Sequence, residues 1–153
     1  MMKPIHRLTF ATLGVAALML SATTVRANHD QSTLNATSVN VTVKYTGTGT
    51  VDATHRIWVW IFDTPNIGPD AIPIGEQSIS MNGGTATFST TTKQVYIAMA
   101  FDEQGGFLGQ APPPSGAPVA MYGMNGPDGQ PQPVAPGAKG AVTVAFNDMV
   151  RMP

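Results

Sequence analysis

The stretch that decides the fold is His55-Arg-Ile-Trp-Val-Trp-Ile-Phe-Asp63. Ile57, Val59 and Ile61 alternate with Trp58, Trp60 and Phe62, so both faces of a strand written here are large and apolar. A strand with one face in water alternates apolar with polar residues. This strand must therefore be central, with a core on one side and a second cover on the other. Gln94 to Phe101 shows the same property, with Val95, Ile97, Met99 and Phe101 opposing Tyr96, Ala98 and Ala100.

Working outward from these two segments, the pattern stays that of short strands. Val39, Val41, Val43 and Tyr45 alternate with Asn40, Thr42 and Lys44, a half-buried strand that ends in Thr-Gly-Thr-Gly-Thr. Pro65, Gly68, Pro69 and Pro73 enforce a loop after the opening strand. A weaker strand covers 74–81, where Gln77, Ser78 and Ser80 indicate an edge. Asn82-Gly83-Gly84 signals a hairpin, with Thr-Ala-Thr-Phe-Ser as the return strand. Eight of the thirteen prolines fall in 112–136, which reads as a long ordered surface loop with one short strand near 118–122. Ala141 to Asn147 forms the last strand, with Val142, Val144 and Phe146 inward. Six or seven strands, turn signals between them and no helical periodicity predict an all-β fold, an antiparallel Ig-like or prealbumin-like β-sandwich of about seven strands with one long Pro-rich loop. The loop, through Val119, Met121, Tyr122 and Met124, is the expected cover for the outer face of the opening strand. An uncovered Trp58/Trp60/Phe62 stripe would instead be a partner site or a route to self-association.

The N-terminus carries a different signal. Lys3 and Arg7 precede an uncharged run from Leu8 to Val25, and Val25-Arg26-Ala27 presents small residues where a signal peptidase cuts. The apolar core of that run is too short to span a bilayer, which takes about 20 residues. The expectation is a signal peptide over 1–27, a disordered tail over 28–37 and a single β-sandwich domain over 38–153, in a protein exported to the periplasm or medium. The chain has no cysteine, so neither a disulfide framework nor a lipid-attachment site is present. After Ala27 all nine acids remain beside five Lys and Arg, a net charge of −4. No basic cluster survives to meet nucleic acid or an anionic membrane, and no membrane span is expected after cleavage.

Several residues bear on chemistry. Asp63 and Asp102 end two of the strongest strands, and with Glu103, Gln104 and Asp128 they offer oxygens of the kind Ca²⁺ takes. The loop Asp-Glu-Gln-Gly-Gly lacks the spaced third carboxylate of a calcium loop, and Asp at such places otherwise caps turns. Met121-x-x-Met124 and Met149-x-x-Met152, with His29, supply soft thioether and imidazole ligands suited to copper, whereas Met equally fills irregular cores. Catalysis finds little material. There is no thiol nucleophile, no serine in a nucleophile elbow, and a single histidine, His55, within the strand region. No catalytic residue is assigned.

The segments IWVWIFD, YIAMAFDEQGGFLG, PVAMYGMNG and VTVAFND, spanning about 38–148, resemble small exported bacterial proteins of unknown function with a transthyretin-like, carboxypeptidase-regulatory-like β-sandwich. Phe101-Asp102-Glu103-Gln104-Gly105-Gly106 and Tyr122-Gly123 stand where that group has an Asp-rich turn and a Tyr-Gly step. The resemblance implies a non-catalytic accessory or binding module. On the residues themselves, the expectation is a module without a cofactor that binds an unidentified protein or extracellular ligand. Its working surface is the Pro112–Pro136 loop with Asp63, Asp102 and any exposed part of the aromatic stripe, and its candidate contacts are Trp58, Trp60, Phe62, Met121, Tyr122 and Met124. The alternatives are a periplasmic metal-binding protein, holding calcium or copper, and a structural subunit of a surface assembly.

Overall fold

A computed structural model describes residues 35–110, 112–124, 129–137 and 140–153. The expected signal peptide, the expected tail as far as residue 34, His29 and Asp128 lie outside the described residues. Seven strands are formed: β1 Thr37–Tyr45, β2 Ile57–Phe62, β3 Gly75–Ile79, β4 Thr85–Thr90, β5 Tyr96–Phe101, β6 Val119–Met121 and β7 Ala141–Phe146. They make two sheets, one ordered β4-β1-β7 and the other β3-β2-β5-β6. The described residues contain no helix.

The sheets face each other through one apolar core. Strand β1 contributes Val39, Val41, Val43 and Tyr45, and β2 contributes Ile57, Val59 and Ile61. Ile97, Met99 and Phe101 of β5 and Val144 and Phe146 of β7 complete its centre. Full burial of each such side chain contributes about 1.5–3 kcal/mol, so the period-two valines of β1 by themselves bind the three-stranded sheet firmly to its partner.

The pairing departs from a purely antiparallel arrangement. β1 and β7 run parallel, with Asn40 opposite Ala141 and Tyr45 opposite Phe146. Parallel neighbours need a long crossover, and here the whole four-stranded sheet lies between them in sequence. The Asn82-Gly83-Gly84 turn also differs from the expected hairpin. β3 pairs with β2 while β4 pairs with β1, so the turn carries the chain from one sheet to the other. Asn82 explains the corner. Its amide accepts from Tyr45 N–H at 2.8 Å and donates to Tyr45 O at 2.7 Å, so a side chain fills a ladder position in β1. Gln77 of β3 does the same toward β4, accepting from Thr87 N–H at 3.0 Å and donating to Thr87 O.

β2 and β5 sit side by side in the centre of the four-stranded sheet, and every residue of both is buried. Their outer faces form a second apolar cluster of Trp58, Trp60, Phe62, Tyr96, Ala98 and Ala100. Register makes the cluster compact, because Trp58 stands opposite Ala100 and Trp60 opposite Ala98. Each indole thus lies over a small cross-strand neighbour.

Candidate functional site

The outer cluster is roofed by the chain itself. Ile67 and Ala71, from the loop after β2, and Phe107, from the loop after β5, pack on it, with Val119 and Met121 of β6 alongside. Phe107 meets Trp58 edge-on, with ring centres 5.6 Å apart and planes at 74°. Trp60 Nε1 donates to Gly109 O at 2.9 Å. Gly109 has φ +92° and lies flat on the Trp58 indole, where a Cβ would meet the ring. Trp58 Nε1 is buried with no acceptor among the described residues.

This arrangement matches the expected cover only in part. Val119 and Met121 pack against the cluster, but as strand β6 of the sheet; Tyr122 packs toward the inner core, and Ile67, Ala71 and Phe107 come from two other loops. It also removes the open aromatic stripe: Trp58, Trp60 and Phe62 are only 9%, 2% and 3% exposed. Phe107, Ile67 and Ala71 occupy much of that face. The segment after β6 continues along the β5 edge, where Val95 and Val134 exchange hydrogen bonds of 2.9 and 2.8 Å.

The roof leaves a gap. An apolar groove of about 290 Å³ opens over β2, β5 and β6, floored by Trp60, Phe62 and Ala98 and walled by Ile67, Pro112 and Pro113. Met121, Met124 and Met152 all line it, and the C-terminal residues Val150 and Pro153 close one side. The tail reaches this position by pairing with the segment before β6. Gly116 N–H donates to Met152 O at 2.9 Å, Met152 N–H to Ala117 O at 3.0 Å, and Val119 N–H to Val150 O at 2.9 Å. The groove has no charged side chain among its described lining.

Of the residues singled out for binding, Trp60, Phe62, Met121 and Met124 share the groove, while Trp58 and Tyr122 do not line it. Of the two methionine pairs, Met149 points away and is 87% exposed, and Met152 enters the groove beside Met121 and Met124. Sequence reasoning missed Ile67 and the pairing of the tail, whereas Pro112 and Pro113 belong to the Pro-rich loop, and Met152 to the methionine pair, that it singled out. The signal nearest to them is the aromatic Phe107 set among glycines in Gly105-Gly-Phe-Leu-Gly109.

The carboxylates are arranged quite differently from the expected calcium set. β2 and β5 are antiparallel, so Asp63 after Phe62 and Asp102 after Phe101 lie at opposite ends of the sheet. The length of a six-residue strand, roughly 20 Å, separates them. Asp102 is buried, and its carboxylate accepts from Gly105 N–H and Phe107 N–H, both at 2.9 Å, which shapes the turn that delivers Phe107. Glu103 is engaged by Arg151, whose Nη1 and Nη2 donate to its two oxygens at 2.7 and 3.0 Å. Gln104 is exposed. No cluster of three or more His, Cys, Asp or Glu groups placed to hold a metal ion occurs among the described residues.

A polar network closes the same end of the sandwich. The Tyr45 hydroxyl donates to Asp148, and Thr48 N–H donates to the other oxygen of that carboxylate at 2.8 Å. Burial first, and then the Asp148 carboxylate, push the Tyr45 hydroxyl above its ordinary pKa of 10.0. The Tyr45 bond holds Asp148 below the usual carboxylate value, and the Arg151 guanidinium does the same for Glu103. Nearby, Asp52 accepts from Thr54 N–H and His55 N–H, both at 2.7 Å, and its Oδ1 lies 3.1 Å from His55 Nδ1. His55, Thr48, Thr50 and Glu103 edge a wide, open depression.

No family model, curated protein or solved structure matches this chain. No helix among the described residues is long and apolar enough to cross a membrane.

Proposed function

We propose that this protein is an exported, non-catalytic β-sandwich module that binds a small apolar molecule in the groove over β2, β5 and β6. One observation supports it most. A groove of about 290 Å³, lined by two aromatic residues, four methionines and several prolines, persists on a sheet face that is otherwise tightly roofed. Apolar concavities near this size are the usual form of small-molecule sites. Export rests on the N-terminal signal pattern, and the sandwich architecture agrees with the transthyretin-like resemblance, without fixing its strand topology as Ig-like.

The test uses N-phenyl-1-naphthylamine, a neutral apolar fluorophore, with the protein labelled at methionine methyl groups. Saturable binding should shift the Met121, Met124 and Met152 resonances and leave the exposed Met81 and Met149 unmoved. Absence of saturable binding, or equal shifts at Met81 and Met149, would remove the groove as a ligand site.

A second occupant is favoured by a specific placement. Met121, Met124 and Met152 converge on one groove, and thioethers select soft Cu⁺. Titration with Cu⁺ under reducing conditions should then move those three methyl groups at one equivalent. No shift at one equivalent would leave the apolar molecule as the sole proposal.

A further inference from the structure

The four sheet edges are treated unequally. β3 is short and polar, carrying Glu76, Gln77 and Ser78. β4 is blocked at Thr87, whose backbone N–H and C=O are both taken by the Gln77 amide. β6 is short and is flanked by the C-terminal tail, which takes Val119 N–H at Val150 O and pairs through Met152 with Gly116 and Ala117 just before the strand. β7 has β1 on one side and no strand on the other among the described residues. Proteins blunt free edges with charge, proline or bulges, yet β7 reads Ala-Val-Thr-Val-Ala-Phe and contains none of these.

The backbone direction of this edge follows from the parallel ladder. Asn40 N–H donates to Gly140 O and Thr46 N–H to Phe146 O, so the even-numbered residues of β7 turn their peptide groups toward β1. Ala141, Thr143 and Ala145 therefore turn theirs outward, and all three are exposed. The five residues Ala141-Val-Thr-Val-Ala145 read the same in both directions. An antiparallel strand placed two-fold about Thr143 sets Ala141 against Ala145 and Val142 against Val144.

We infer that β7 is a self-complementary edge that pairs with β7 of a second copy of this chain. Thr143 stands opposite itself on the dyad, and the two three-stranded sheets join into one of six strands. The outward N–H and C=O groups then make about six new ladder hydrogen bonds. Val142 is only half-buried on the core side of β7, and the pairing covers it with Val144 of the second copy. An isologous contact of this kind closes on itself and leaves no repeating edge. The apolar groove lies on the opposite sheet and stays open in the dimer.

The test combines mass measurement with cross-linking. The purified protein should sediment as a dimer at tens of micromolar, and Thr143→Lys, which puts like charges on the dyad, should weaken association at least tenfold. The chain contains no cysteine, so single cysteines report register cleanly. Thr143→Cys should form an intermolecular disulfide on mild oxidation, since opposed residues of a ladder lie about 5.5 Å apart at Cα. Ala145→Cys should not, because its own copy would stand roughly 14 Å away along the strand. A monomeric wild-type protein at 200 micromolar, on the order of ten times the working concentration, would overturn the inference and leave the edge to a strand of another protein. Unchanged dimerisation of Thr143→Lys, or cross-linking of Ala145→Cys as fast as Thr143→Cys, would overturn it too. If Thr143→Lys fails to fold, the cysteine pair decides alone.

Discussion

Gly109→Ala probes the contact that holds the roof on the aromatic face. A Cβ at this position would stand 2.5 Å from Cε3 and 2.8 Å from Cη2 of Trp58, and nearer still to Cζ3. The indole has little room to retreat, being 9% exposed and braced by Phe107. Two costs combine. A non-glycine residue at φ +92° costs about 1–2 kcal/mol in backbone energy. Forcing a methyl group into a packed contact costs about 1–3 kcal/mol more, for a total of about 2–5 kcal/mol. Gly106 separates the two, because its φ is +89° but nothing lies within 4 Å of the added Cβ. Gly106→Ala should therefore lose only about 1–2 kcal/mol. Urea unfolding followed by tryptophan fluorescence measures both variants against the wild type on one signal. The difference between them, about 1–3 kcal/mol, is the part owed to Trp58. If the two variants unfold within about 0.5 kcal/mol of each other, close to the spread of ordinary surface substitutions, the loop does not rest on the indole as described.

Two further measurements address the same architecture. Trp60→Phe removes the bond to Gly109 O, whereas Trp58→Phe removes an N–H that has no acceptor among the described residues. Thermal or urea melts should therefore show Trp60→Phe less stable than Trp58→Phe by about 1–2 kcal/mol, and the reverse order would contradict the assigned hydrogen bond. Acid stability follows from Asp52, Glu103 and Asp148, whose folded pKa values all lie below their ordinary ones. Their contribution is complete above the ordinary values, 4.5 for Glu and 3.8 for Asp, and is lost as pH falls through the lower folded values. The melting temperature should hold from pH 7 to 5 and fall below about pH 4.5, where the Glu titrates first. Asp148→Asn should flatten part of that fall, and an unchanged acid profile in the variant would show that this network is not coupled to folding.

Much of the architecture is legible in the sequence because period two is a local property. The alternation of Val39, Val41 and Val43 and the double-faced apolarity of β2 and β5 announce one half-buried strand and two central ones. What local pattern cannot convey is pairing. Asn82-Gly83-Gly84 makes a tight turn whether its flanking strands pair with each other or part to separate sheets, and the choice falls to the side chains of Asn82 and Gln77. The parallel union of β1 with β7 depends on which edge of β1 is left after β4 has taken the other. Asp63 and Asp102 look like partners because each follows an apolar strand, yet antiparallel pairing sends the ends of β2 and β5 in opposite directions. The groove was half visible. Trp60, Phe62, Met121 and Met124 stand out as residues too apolar for a surface, but its walls at Ile67, Pro112 and Met152 arrive from loops whose course no periodicity dictates.

The distribution of charge narrows what the groove can select. At the Asp102 end of the sandwich the carboxylates already have structural partners: Asp52 caps its turn, Asp102 holds the loop bearing Phe107, Glu103 receives Arg151 and Asp148 receives Tyr45. Removing any of them strands a donor, so they serve shape before recognition. The groove has no charged side chain in its described lining, and its indole N–H is spent on Gly109 O. An occupant therefore gains little from charge and much from dispersion against rings and thioethers. Selectivity must come from fit: the volume set by the Ala98 floor, the height set by Ile67 and the prolines, and the reach of three flexible methionines. Enlarging the floor residue is then the sharpest way to exclude a ligand. Ala98→Leu should abolish binding of N-phenyl-1-naphthylamine while leaving the β7 edge and its association untouched, since that edge belongs to the other sheet. If Ala98→Leu instead kept full affinity, the ligand would lie outside the groove, and the three methionines would have to be read as packing alone.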